Sequence, residues 1–98
     1  MKYFVVTLKY LVPMDKVAEI VNEHRAYLDH GYSQGWFLAS GPQNPKTGGL
    51  IIARAPGRDY IERLLDKDPF KLKQIASYEV TEFDPVKRHP EMGGFFNA

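Results

Sequence analysis

Residues 50–53 read Leu-Ile-Ile-Ala, so a strand through them is apolar on both faces, with Leu50 and Ile52 on one and Ile51 and Ala53 on the other. Side chains alternate across a strand, and a segment of this kind belongs inside a sheet with a cover on each side. In a chain of 98 residues that is a severe demand. A domain near the lower end of common sizes buries roughly 60–65% of its unfolded surface, which is enough for one core. The segment is therefore expected to be a central strand of one small sheet.

The rest of the chain supplies its neighbours. Residues 3–11 are aromatic and β-branched, with Phe4, Val6 and Leu8 on one face and Tyr3, Val5 and Thr7 on the other, a first strand. Pro13 ends it, and Val17, Ile20, Val21, Tyr27, Leu28 and Gly31 then follow the stripe of an amphipathic helix running from about Pro13 to Gly31 or Gly35. Residues 36–41 and 49–55 read as an antiparallel hairpin around a turn-forming loop. After Pro56-Gly57, Ile61, Leu64 and Leu65 mark a second helix that Pro69 must interrupt; residues 71–76 add a short helical turn before a last strand at about 77–83.

The order β-α-β-β-α-β predicts an α+β ferredoxin-like fold. Right-handed crossovers put both helices on one face of a four-stranded antiparallel sheet and leave the first and third strands central. The expected helix–sheet core is Phe4, Val6, Leu8, Ile20, Leu28, Ile52, Ile61 and Leu64. The whole chain, 1–98, is read as a single domain with a C-terminal tail over 84–98. Only one sheet face then has a cover, which predicts a homodimer formed through the helix-free face, with Tyr3, Val5 and Thr7 toward the partner or an enclosed cavity; the other reading is a partly solvated face. The tail, with Lys87-Arg88-His89-Pro90 and Phe95-Phe96, has no periodicity; it either lies across the partner or frays.

Composition narrows the function classes. Thirteen basic against twelve acidic side chains leave a net charge of +1, which builds no long-range field for nucleic acid or an anionic membrane. The absence of cysteine removes disulfides, thiolate catalysis and cysteine-based metal sites, and fits a cytoplasmic location. The apolar N-terminus is broken by Lys9 and Pro13, too short to span a bilayer and without signal-peptide grammar.

Two polar residues break the pattern. His24 falls in the helical series 17, 20, 21, 24, 27, 28, 31, where an apolar side chain is expected, and such a breach marks a functional or strained site more often than an average position does. It is open to two readings, a core histidine bonded to a carbonyl or a working imidazole. Asp68 takes the next place in the series 61, 64, 65, 68; as an Asp before Pro it also reads as the N-cap of a turn starting at Pro69. Because both helices share a sheet face, His24 and Asp68 are expected to approach each other. A carboxylate that orients an imidazole is a recurring general acid–base arrangement.

His24-Arg25-Ala26-Tyr27-Leu28, Leu38-Ala39-Ser40-Gly41-Pro42, Thr47-Gly48-Gly49, Asp68-Pro69-Phe70, and Tyr78-Glu79-Val80 through Phe83-Asp84-Pro85-Val86-Lys87-Arg88-His89-Pro90 together resemble the YCII-related (YciI-like) proteins over nearly the whole chain. The resemblance implies a ferredoxin-like fold of the dimeric α/β-barrel type. It also implies a pocket with a His–Asp pair at the positions of His24 and Asp68. The activities it brings with it are lyase-like, including dehydrohalogenation of hydroxylated aromatics, and its fold relatives include muconolactone isomerases.

Within these motifs Ser40 offers a hydroxyl and Gly41 a close backbone approach for a ligand; the plainer reading is a strand end before the turn set by Pro42. Arg25 lies about 100° round the helix from His24 and either binds an anionic substrate group or faces solvent. His24 and His30 point to sides about 240° apart and His89 is in the tail, so no metal site and no cofactor is expected. RNA-binding domains of this fold carry aromatics on the third strand, and residues 49–54 carry none. Two functions remain: an enzyme in which His24, oriented by Asp68, moves a proton on a small cyclic oxygenated compound in an elimination or isomerisation, and a non-catalytic metabolite-binding or regulatory module using the same pocket.

Overall fold

The computed structural model describes residues 1–96; Asn97 and Ala98, the end of the tail, lie outside the described residues. Strand β1, Lys2–Tyr10, carries Phe4, Val6 and Leu8 on its buried face. Helix α1, Met14–Ser33, starts behind the extended Pro13 and ends before Gly35, whose φ of 80° is the left-handed conformation that glycine adopts without strain. Strands β2, Phe37–Pro42, and β3, Gly48–Ala55, follow, then helix α2, Arg58–Leu65, a one-turn helix α3, Pro69–Leu72, and strand β4, Ala76–Phe83. The sheet order is β2-β3-β1-β4, every pair antiparallel, with β1 and β3 central. This is the ferredoxin-like α+β fold.

Register decides which face of β3 meets the helices. Phe4 pairs with Ala53 and Val6 with Ile51, so Ile51, Ala53 and Ala55 join the buried face. Ile52 pairs with Val5 on the other face and is only half-buried, a correction to its expected place in the helix–sheet core. Of the remaining expected core residues, Leu28 and Ile61 are buried, while Ile20 and Leu64 pack on the core from its edge. Gly48 faces the backbone of β1 so closely that a Cβ there would stand 1.8 Å from the Leu8 carbonyl oxygen.

The tail corrects a second expectation. A 3-10 turn, Pro90–Met92, and a short helix α4, Gly93–Phe96, fold back on the chain's own sheet. The Tyr3 hydroxyl donates to the Phe96 carbonyl at 2.6 Å, and Arg54 donates to the Phe95 carbonyl at 2.9 Å with its guanidinium 4.7 Å from the Phe95 ring centre. Tyr3 is thereby buried in contact with its own tail. The tail supplies part of the second cover that β3 demands; on the same face Val5, Thr7 and Ile52 are half-buried and Leu50 is exposed. Among the described residues no helix is long and apolar enough to cross a membrane.

Candidate active site

α1 and α3 meet beside the end of β4, and three polar side chains converge there. Helix α2 stops at Leu65, so Asp68 does not sit on its face; it is the extended N-cap residue of α3, and its Oδ1 accepts the Phe70 backbone N–H at 3.0 Å. The same Oδ1 lies 2.8 Å from Nδ1 of His24, and the Tyr78 hydroxyl donates to Oδ2. One carboxylate thus caps a helix and holds an imidazole. Asp68 is completely buried, and the His24 side chain is 13% exposed.

This arrangement dictates a tautomer. A carboxylate oxygen only accepts, so the bond requires a proton on Nδ1 and leaves the lone pair of the neutral ring on Nε2. No described residue bonds Nε2, and among the described residues no buried side-chain nitrogen or oxygen is left without a partner, so Nε2 is open to solvent. The imidazole is stacked on Phe70, centroids 3.9 Å apart. Tyr78 is pushed far above the ordinary tyrosine pKa by burial, then by the charge of Asp68 and its bond to it. Tyr27, whose hydroxyl donates to the Leu64 carbonyl at 2.6 Å, moves the same way, by burial and then by Asp68 and Asp66. Both hydroxyls remain protonated donors.

His24 and Phe70 line a cavity of about 490 Å³ between α1 and the β2–β3 end of the sheet, within the size range of small-molecule sites. Its walls include Val17, Leu28 and Ile51. Arg25, Ser40 and Gly41 line the same cavity, so the five residues singled out in the sequence converge on one region, although Asp68 stands behind His24 and not on the wall. Ser40 shares a hydrogen bond of 2.7 Å with the Tyr32 hydroxyl; Gly41 leaves room, since a Cβ there would meet nothing within 4 Å. Exposed Arg25 and Lys46 and the acidic Asp29 are at the rim.

Tyr78, Phe70, Tyr32 and Lys46 are not among the expected site residues, although Phe70 and Tyr78 fall within the motifs that carry the family resemblance. Tyr78 carried a usable signal, since Ala76, Tyr78 and Val80 share the inward phase of β4 and a hydroxyl there must find an acceptor. Among the described residues no group of three or more His, Asp or Glu side chains is placed to hold a metal ion.

The family model of the YCII-related domain matches residues 1–84. The chain belongs to the YCII-related family. No curated protein matches it. Among solved structures, this YCII-related chain is similar to 5-chloro-2-hydroxyhydroquinone dehydrochlorinase from Burkholderia phenoliruptrix AC1100 in complex with 2,5-dihydroxybenzoquinone. The TM-score is 0.70 at 19% identity, over 91% of this chain and 96% of that one, a likeness of fold.

Proposed function

We propose that this YCII-related protein is a small-molecule enzyme that uses His24 and Asp68 for acid–base chemistry of the lyase or isomerase type on a small cyclic oxygenated compound. The observation that carries the reading is the 2.8 Å bond from Nδ1 to a fully buried carboxylate, with Nε2 unbonded beside a cavity. In the neutral ring Nε2 is the base. It takes a proton from a hydroxyl or an acidic C–H of the bound compound, and Asp68 compensates the positive charge that the ring gains. In an isomerisation the imidazolium returns the proton to a different atom of the same compound. In an elimination the proton and a leaving group depart together as HX, and no oxidant or reductant is required.

The rest of the cavity suits a flat, oxygenated ring. Apolar walls take the ring faces, while Arg25 and Lys46 at the rim bring positive charge to an ionised oxygen. Ser40 offers a hydroxyl, and the open space at Gly41 admits ligand against the strand end. The similar solved structure is named for a reaction on a chlorinated hydroquinone and holds a dihydroxyquinone, which supports this substrate class. The reading includes one domain over 1–98, a cytoplasmic setting, and a homodimer through the helix-free face.

A second reading, a metabolite-binding module using the same cavity, draws on Asp68 acting as a cap, which gives the pair a structural reason to exist. Incubation with a panel of phenols, hydroquinones, lactones and enols, including 5-chloro-2-hydroxyhydroquinone with chloride release as readout, separates the two. Turnover of a panel member supports the enzyme. Binding of 2,5-dihydroxybenzoquinone with no turnover across the panel supports the module.

A further inference from the structure

We infer, resting on the reading of His24 as the working base, that Tyr78 is a positioning residue: by holding Oδ2 of Asp68, its hydroxyl fixes the carboxylate whose Oδ1 orients the His24 imidazole. The terminal torsion of an aspartate is broad and roughly two-fold. The bonds from Phe70 N–H and His24 Nδ1–H both end on Oδ1, so they tether one corner of the carboxylate and leave it free to pivot. The Tyr78 bond ends on the opposite corner and removes that freedom. A tyrosine serving only as packing would have no need to end its hydroxyl on the one side chain among the described residues that is both ionisable and fully buried.

The hydroxyl suits this role because it stays a donor. Burial and the neighbouring carboxylate both resist its ionisation. Among the described residues, the groups facing the network include His24 and Tyr27 from α1, Lys71 from α3 with its ammonium 5.5 Å from the Tyr78 ring centre, and Asp66 at the end of α2, which acts on Tyr27. Removing the hydroxyl leaves Oδ2 of a buried carboxylate without its donor, and the carboxylate then turns to recover one at the expense of the His24 bond.

The test is the His24 ring itself, observed by ¹⁵N NMR, which needs no substrate. In the natural sequence the neutral ring is expected as the single Nδ1–H tautomer with a protected Nδ1 proton. Tyr78→Phe is expected to give a mixture of tautomers and at least tenfold faster exchange of that proton. Tyr27→Phe, which removes a nearby hydroxyl bonded elsewhere, is expected to leave both unchanged. An unaltered tautomer and exchange rate in Tyr78→Phe overturns the inference, as does an equal effect of Tyr27→Phe. Should Tyr78→Phe fail to fold, 3-fluorotyrosine at position 78 retains ring and hydroxyl while strengthening the donor; a displaced His24 Nδ1 proton resonance supports the inference and an unmoved one overturns it. The functional reading fails separately: full turnover by His24→Ala would remove it while leaving a Tyr78-dependent tautomer intact.

Discussion

The imidazole of His24 lies flat on the ring of Phe70, with centroids 3.9 Å apart and planes 5° from parallel. Phe70 also donates its backbone N–H to Asp68, so one residue supports the ring of His24 and the carboxylate that binds it. Phe70→Leu keeps apolar volume and the backbone bond but removes the stack. It is expected to cost about 0.5–1.5 kcal/mol in denaturant unfolding beyond the lost area and to weaken binding of 2,5-dihydroxybenzoquinone. Unchanged stability and binding would show that the stack is incidental.

Ile51 and Ile52 are neighbours on opposite faces of β3, and their truncations should separate two interfaces. Ile51→Ala is expected to destabilise the fold by about 2–5 kcal/mol, as a buried large-to-small change does. Ile52→Ala should cost the fold less and instead weaken self-association. Sedimentation at micromolar concentration is expected to give a species of twice the 11.2 kDa chain mass, shifted toward monomer in Ile52→Ala. Only monomer in the natural sequence would refute the homodimer.

Gly48 and Gly41 make a matched pair. Gly48→Ala drives a methyl into the Leu8 carbonyl and is expected to cost about 1–3 kcal/mol or more by overpacking, seen as a lower thermal midpoint. Gly41→Ala meets no protein atom, so the midpoint should hold while ligand binding at the cavity falls. Intact binding in Gly41→Ala would remove Gly41 from the ligand's path.

Alkaline pH offers a test of the buried hydroxyls. Tyr78 and Tyr27 are raised above the ordinary value of 10.0 by burial first and Asp68 second, and Tyr10 by burial. The folded chain therefore keeps protons that the unfolded chain releases. The stability this confers is fully present below pH 10 and is lost as pH rises through the folded-state values. Stability against unfolding, measured from pH 9 to 11, should fall more steeply in the natural sequence than in Tyr78→Phe, in keeping with that linkage. Equal slopes would contradict the assignment.

How much of this was legible beforehand depends on the kind of signal. His24 stands out because α1 is long enough for an apolar stripe to be unmistakable and for one imidazole within it to show. Asp68 stands out for a less direct reason: α2 ends three residues before it, and cap geometry, not helix phase, brings it to His24. One carboxylate both caps α3 and bonds His24. Ile52 departs from its expected face because alternation in a strand apolar on both sides defines two sets without saying which faces the helices; only the pairing of β3 with Phe4 and Val6 decides it. The fold-back of the tail is not legible, since its anchors, Tyr3, Arg54 and Phe83, are scattered across the sequence with no period to reveal them.

The central claim, that His24 and Asp68 work on a ligand and do more than hold the fold, is tested most directly by His24→Ala and Asp68→Asn. Asparagine still presents an oxygen to the Phe70 N–H, so it retains the cap while removing the charge that faces the imidazole. Both variants are to be compared with the natural sequence in turnover and binding of the hydroquinone panel and in thermal unfolding. The account predicts a loss of at least tenfold, about 1.4 kcal/mol at the site, with the fold surviving. Lost stability in both variants together with full turnover and binding would contradict it.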